Sequence, residues 1–203
     1  KKEFNFVTEV SEQLPLWVLC EMMGIKEQER KKVLDLVNSL TDASVSQDPE
    51  KSFQVWVNYM ELFKMGRDMI EDRRANPTDD LMSMVANTKV EGDAIPPELL
   101  DGFFLLMVIA GNETTRNTIS GGLIALCDFP NEKKKLIENP SLISNATDEM
   151  LRWVSPVIYF RRTATKDTKI RGQEIKKGDK VIMWYGAANR DEEVFKDAHK
   201  FKV

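Results

Sequence analysis

Residues 110–117 read Ala-Gly-Asn-Glu-Thr-Thr-Arg-Asn and complete an eight-residue apolar run, Phe103–Ala110. A carboxylate (Glu113) and two hydroxyls (Thr114, Thr115) directly after such a run are costly inside a protein unless they are hydrogen-bonded or meet a cavity. At helical spacing Met107, Ala110, Gly111 and Thr114 share a face. Two small residues on that face let a flat ligand lie against the backbone, and Gly111 weakens the helix locally. The Thr114 hydroxyl can donate to the Ala110 carbonyl and loosen the helix at the same point. A break of that kind commonly marks a functional site. The competing reading is an amphipathic helix whose polar half emerges into solvent, and periodicity alone fits both.

A second pair with chemical capacity is Glu149-Met150-Leu151-Arg152, a carboxylate and a guanidinium three residues apart on one helical face. Alone it fits a surface ion pair of about 0.2–0.5 kcal/mol. His199 is the single histidine, which leaves no material for a histidine-based zinc site or triad. Cys20 and Cys127 lie far apart in apolar surroundings and read as reduced, buried thiols. Asp79-Asp80-Leu81-Met82-Ser83-Met84-Val85-Ala86-Asn87 nearly spells a metal motif of class I terpenoid synthases. Its last position is Asn87 where that motif needs Glu, and no suitable acidic cluster precedes it.

The elements that must hold these residues are mostly helical. Phe6, Val7, Val10 and Leu14 recur at helical spacing, and Pro15 suits the first turn of a second helix that carries Leu16, Trp17, Leu19 and Met22 to a stop at Gly24. Further helices are expected around Val33–Leu40 and over Glu50–Ala75, separated by a polar loop, Ala43–Pro49. Asn76-Pro77-Thr78 ends the second of these, with Thr78 as N-cap for Asp79–Ala86. Pro96-Pro97 opens a helix expected to run from 97 to 127, about 46 Å at 1.5 Å per residue, with Phe103–Ala110 buried on every side. Two more helices follow, around Glu132–Glu138 and Leu142–Trp153. After Pro156 the texture shifts to short β-rich runs, Phe160–Thr165, Lys169–Arg171, Glu174–Lys176 and Lys180–Trp184, with turns at Gly172-Gln173 and Lys177-Gly178-Asp179.

The 203 residues suffice for one hydrophobic core. With 42% apolar and 31% charged residues the composition is that of a globular protein, and a net charge of −4 with mixed signs offers no basic stripe for nucleic acid. The eight-residue apolar run is far short of the roughly 20 needed to span a bilayer, so no membrane anchor is expected in this segment. The chain begins at Lys1 without Met and is expected to be a fragment.

Ala-Gly-x-Glu-Thr-Thr at 110–115 resembles the oxygen-activation motif in the distal helix of the cytochrome P450 family, and Glu149-x-x-Arg152 follows at the family's separation. Arg161-Arg162-Thr163-Ala164 after Trp153–Phe160 is similar to the family's turn into its β region. Gly178-Asp179 and Ala188-Asn189-Arg190-Asp191 with Phe195 are similar to bacterial members. The likeness runs from about Phe4 to Val203 and is nearest the bacterial branch that oxidises steroid side chains, branched lipids and terpenoid alcohols. It implies a mainly α fold with a small β region, a partial P450 fold in one incomplete domain over 1–203. Within it, 1–153 form the helical body, 154–185 the β region, and 186–203 the start of the next helix and loop.

The resemblance further implies a haem-thiolate monooxygenase that inserts one oxygen atom of dioxygen into a C–H bond of a small hydrophobic substrate. Glu113 and Thr114 would be the acid–alcohol pair passing protons to dioxygen in a nearly dry pocket. Ala110, Gly111, Thr114 and Thr115 would lie against haem b, and Arg162 would pair with a haem propionate. Glu149 and Arg152 would form a structural pair. Met107, Val157, Ile158 and Phe160 would face substrate, beneath a lid formed by the helices over Lys31–Leu40 and Phe53–Ile70. Electrons would come from a ferredoxin-type or flavin partner, in the cytoplasm.

The family's haem loop, Phe-x-x-Gly-x-x-x-Cys-x-Gly, is absent, so neither cysteine is assigned to iron. The ligand is expected beyond Val203, which leaves this chain inactive by itself. The rival readings are the metal-dependent terpenoid synthase and a non-catalytic all-α ligand-binding module.

Overall fold

The computed structural model of the protein describes residues 3–41 and 48–203. The chain divides into two compact units, Lys1–Arg116 and Asn117–Val203, and the boundary falls inside one long helix.

In the first unit a π-helical turn, Val7–Ser11, leads into α1 (Gln13–Met23). Leu16, Leu19, Cys20 and Met23 form the buried side of α1, whereas Trp17 and Met22 face outward. Gly24 stops the helix in the left-handed region (φ 72°), its N–H bonded to the Cys20 and Glu21 carbonyls. Next come α2 (Glu27–Thr41) and α3 (Pro49–Ala75). Of the expected polar loop Ala43–Pro49, positions 43–47 lie outside the described residues. Asp48 caps α3 by accepting from the Glu50 and Lys51 N–H groups, with Pro49 at the first helical position.

The cap of α4 (Leu81–Asn87) is Asp80 and not Thr78. Asp80 Oδ1 accepts from Ser83 N–H at 2.7 Å, and Thr78 serves from outside by donating its hydroxyl to Asp80 Oδ2 at 2.6 Å. A carboxylate placed two residues closer makes the stronger cap. A hairpin with no expected counterpart follows: β1 (Lys89–Val90) pairs antiparallel with β2 (Asp93–Ala94). Its turn puts Glu91 (φ 54°) and Gly92 (φ 95°) in the left-handed region, the geometry of a two-residue hairpin. Two residues per strand are too few for alternation to register in the sequence.

α5 (Pro97–Asp128) is 32 residues, about 48 Å long. It buries Leu100, Phe104, Leu105 and Val108 in a core shared with Val33, Val37, Leu62, Ile70 and Met82. α3 approaches so closely at Gly66 that an added Cβ would come within 2.7 Å of the Phe104 ring. Only glycine fits there. Arg67 of α3 is paired with the buried Asp101 of α5.

The expectation that Phe103–Ala110 is buried all round does not hold. Leu106 is 61% exposed and Ala110 is exposed as well. Phe104, Leu105 and Val108 fill the core on one side, and the opposite side of α5 is open within this unit.

In the second unit the end of α5 packs on α7 (Ile143–Val154) at Gly121, where a Cβ would meet Val154 at 2.7 Å. α6 (Pro130–Glu138) and a 3-10 turn, Pro140–Leu142, lie between them in sequence. Phe129, Trp153 and Phe201 form an aromatic cluster with centroids 5.3–5.9 Å apart. β3 (Tyr159–Thr163) pairs antiparallel with β6 (Lys180–Trp184), in the register Phe160↔Met183 and Arg162↔Val181. β4 (Thr168–Ile170) pairs with β5 (Gln173–Ile175) across a turn at Arg171-Gly172, one residue earlier than expected. A short α8 (Tyr185–Ala188) follows. Cys127, expected to be buried, is exposed at the end of α5, while Cys20 is fully buried.

Asp80 also tests the first unit. Burial alone would raise its carboxyl, but the Thr78 hydroxyl, the Ser83 N–H and the Arg73 guanidinium (2.6 Å) outweigh it and hold the carboxyl below its usual value. A carboxyl depressed on folding stabilises the protein above its unfolded pKa of about 4, and that contribution is lost as pH falls through the lowered value. Asp80→Ala is expected to destabilise by about 2 kcal/mol at pH 7 in urea denaturation. The gap from wild type should shrink at acid pH.

Candidate functional site

The open side of α5 carries some of the residues singled out from sequence. Leu106, Ala110 and Thr114, four apart, form one stripe along the helix. Thr114 Oγ1 donates to the Ala110 carbonyl at 2.8 Å and Thr115 Oγ1 to the Gly111 carbonyl at 3.0 Å. These are the back-bonds anticipated for such hydroxyls, yet they do not interrupt the helix, which is continuous from Pro97 to Asp128. Satisfying hydroxyls on carbonyls four residues back needs no opening of the ladder. Met107 is partly buried against the core. Gly111 is turned toward α1, where an added Cβ would stand 3.5 Å from Leu19 Cδ1, an ordinary contact. Leu106 was not picked out from sequence, although a step of eight back from Thr114 reaches it.

Glu113 is tied away along the helix. Its Oε1 accepts from Arg116 Nη2 at 3.4 Å, and Arg116 Nη1 also reaches Glu12 Oε1 at 3.3 Å and Asn38 Oδ1 at 3.5 Å. Asn38 Nδ2 donates to the same Glu12 oxygen at 3.0 Å. The carboxylate beside Thr114 therefore belongs to a polar cluster spanning the start of α1, the last turn of α2, and α5. Arg116 is the second residue that sequence reasoning passed over. Its signal was the i, i+3 spacing from Glu113.

In the second unit Glu149 and Arg152 form a bidentate pair, Nε to Oε2 at 2.6 Å and Nη2 to Oε1 at 2.7 Å. Their side chains are only 13% and 10% exposed, so this is no solvated surface pair. Arg152 also donates to three backbone carbonyls, Asn189 and Ala198 at 2.8 Å and Lys200 at 3.0 Å. Lys202 N–H donates to Glu149 Oε1 at 2.8 Å. Bonding to Glu149 raises the Arg152 pKa further, so the charge is permanent. Two side chains thus hold the irregular segment 189–202.

On β3, Phe160 and Arg162 alternate onto one face, and the guanidinium lies 5.6 Å from the Phe160 ring centroid. Arg162 donates to the Arg161 carbonyl at 3.1 Å and forms no ion pair with a carboxylate among the described residues. Ile158 and Phe160 are largely exposed, Val157 partly so.

The family model for cytochrome P450 matches residues 21–203. A steroid C26-monooxygenase of Rhodococcus jostii is 37% identical over 202 residues, covering 98% of this chain and 41% of the relative. A methyl-branched lipid omega-hydroxylase of Mycobacterium tuberculosis is 36% identical, covering 100% and 47%. A Mycobacterium marinum cytochrome P450 solved in complex with pseudoionone superposes with a TM-score of 0.88 at 36% identity, covering 98% and 49%. This chain belongs to the cytochrome P450 family. It spans about half the length of the relatives it matches.

Haem is the cofactor that this family implies. The open stripe Leu106–Ala110–Thr114 fits a flat apolar ring, because Ala110 adds nothing beyond Cβ, and the carboxylate-free Arg162 fits an anionic substituent. The donor set for an axial thiolate does not fit either cysteine. Cys20 is fully enclosed, and burial pushes its pKa up to about 11, so it stays a thiol. Cys127 lies at the exposed end of α5, about 20 Å along the helix from Thr114. Among the described residues no group of three or more His, Cys, Asp or Glu is placed to hold a metal ion. Asp80 of the terpenoid-synthase-like run is engaged as a helix cap and with Arg73. No helix among them is long and apolar enough to cross a membrane.

Arg152→Lys keeps the charge but cannot serve Glu149 and three carbonyls together. It is expected to cost about 1–3 kcal/mol, as buried acceptors left unmet do. Limited proteolysis should then cut first within 189–202.

Proposed function

We propose that this chain is the distal-helix and Glu-x-x-Arg portion of a haem-thiolate monooxygenase acting on a small hydrophobic substrate. The observation that carries the reading is the open Leu106–Ala110–Thr114 stripe, with a back-bonded hydroxyl beside Glu113 on one continuous helix.

When bound, haem b supplies the activation of dioxygen for insertion into a C–H bond. Ala110, Gly111, Thr114 and Thr115 are the residues of this chain that would lie beside it, with Arg162 on a propionate. Thr114 holds a proton at Oγ1, in a bond to the Ala110 carbonyl that the hydroxyl can release by rotating. Glu113, linked through Arg116 to Glu12, is the neighbouring group that can replace that proton from water. Leu106, Met107, Val157, Ile158 and Phe160 present apolar surface to substrate and exclude water. Relatives named for steroids and methyl-branched lipids, and a neighbour holding pseudoionone, support a largely hydrocarbon substrate of the steroid, branched-lipid or terpenoid class.

The axial thiolate comes from a cysteine other than Cys20 and Cys127. In this reading residues 1–203 belong to one domain. The electron donor is a ferredoxin-type or flavin protein, and the location is the cytoplasm.

The test uses the full-length protein. Reduced and exposed to carbon monoxide, it is expected to give the red-shifted Soret band of a thiolate-ligated ferrous haem; a band at the position of a histidine-ligated haem rejects the reading. Thr114→Ala should keep that band while product formed per dioxygen consumed falls about 10-fold or more. Arg162→Ala should lower haem retention on gel filtration.

A further inference from the structure

Asn112 lies inside the 110–117 run, and the proposed function has no use for it. It is 1% exposed, and neither its Nδ2 nor its Oδ1 has a hydrogen-bond partner in the protein. A primary amide carries two donors and an acceptor with two lone pairs, and leaving all of them unmet in a core is among the costlier arrangements a fold can hold. Buried polar groups without a protein partner are commonly met by an internal water, which needs a polar site and two to four partners.

Such partners stand one turn along. Residues 112 and 116 are four apart on α5 and share a face. Arg116 spends its five N–H donors on three long contacts, at 3.3, 3.4 and 3.5 Å, at or beyond the usual outer limit of an N–H···O bond. Glu12 and Asn38 add carboxylate and amide oxygens to the same cluster. At the neighbouring Gly111 the approach of α1 is not tight, since even a Cβ there would make only ordinary contact with Leu19. A buried amide without partners and a loosely bonded guanidinium on one helix face call for the same small polar ligand.

We propose that Asn112 anchors an internal water that bridges its amide to the Arg116–Glu12–Asn38 cluster. The site is formed by α1, α2 and α5 within the first unit. Its consequence for catalysis rests on the role of Glu113 proposed above: Glu113 shares Arg116 with this cluster, so a buried water stands one side chain from the acid. The Asn112 position is then a hydration site built into the motif.

The experiment is a crystal structure of the full-length haem-loaded protein at a resolution that defines ordered water, with thermal melts of wild type, Asn112→Leu and Asn112→Ser. The expected result is density for a water within hydrogen-bond distance of the Asn112 amide and of Arg116 or Glu12. That water should be lost in Asn112→Leu without any gain in Tm, and kept in Asn112→Ser. An amide bonded only to protein, or a dry amide with Asn112→Leu raising Tm by about 2 °C or more, overturns the proposal. Should Asn112→Leu fail to fold, Asn112→Ser still decides, because its hydroxyl must hold the same water. Absence of the thiolate-type Soret band would reject the monooxygenase reading and leave the density at Asn112 standing, so the two failures are separable.

Discussion

A polar group inside an apolar helix is costly without a partner, and much of the first unit is organised around that cost. α5 carries Asp101, Thr114, Thr115 and Glu113 within a stretch whose neighbours are Phe, Leu, Met, Val and Ile. Each is answered differently. Asp101 takes Arg67 from α3. The two threonines turn back on their own helix. Glu113 reaches a guanidinium that Glu12 and Asn38 also hold, which ties the start of α1, the end of α2 and the middle of α5 to a single side chain. The helix stays unbroken because each answer uses groups already within one turn or one neighbouring helix. That leaves Leu106 and Ala110 exposed on one side of the helix, and an exposed apolar side can be given to a ligand.

The second unit solves a different problem. Segment 189–202 has almost no regular structure, so its carbonyls lack the ladder partners that a strand or helix would supply. Arg152 collects three of them while Glu149 fixes its geometry and takes one N–H in return. A guanidinium suits this because its donors diverge in one plane. The aromatic cluster of Phe129, Trp153 and Phe201, with Arg190 over Trp153, packs beneath the same segment.

Much of this was legible from sequence, and the misses have physical reasons. The long helix, its two-residue proline start and the Gly24 stop follow from capping and φ restrictions that act locally, and their bounds agree within a residue or two. Glu149-x-x-Arg152 could be placed on one face, but its burial could not, because the three carbonyls it serves come from 37 to 48 residues away. The Thr78 cap failed to a better competitor two residues on. The expectation of a helix fully surrounded at Phe103–Ala110 rested on composition, which records that a side is apolar and not whether this chain covers it. Leu106 and Arg116 were reachable by counting fours and threes from Thr114 and Glu113. Asn112 was not distinguishable from a solvent-facing asparagine, since the difference lies in the packing of α1.

The pairing of β3 with β6 has an evolutionary corollary. Arg161 and Arg162 are adjacent on a pleated strand, so they project from opposite faces, and only Arg162 shares its side with Phe160. Inserting one residue between Phe160 and Arg161 would bring Arg161 onto the Phe160 side in place of Arg162. Lineages that change the length of β3 must exchange the two positions or lose the face that Phe160 and Arg162 share.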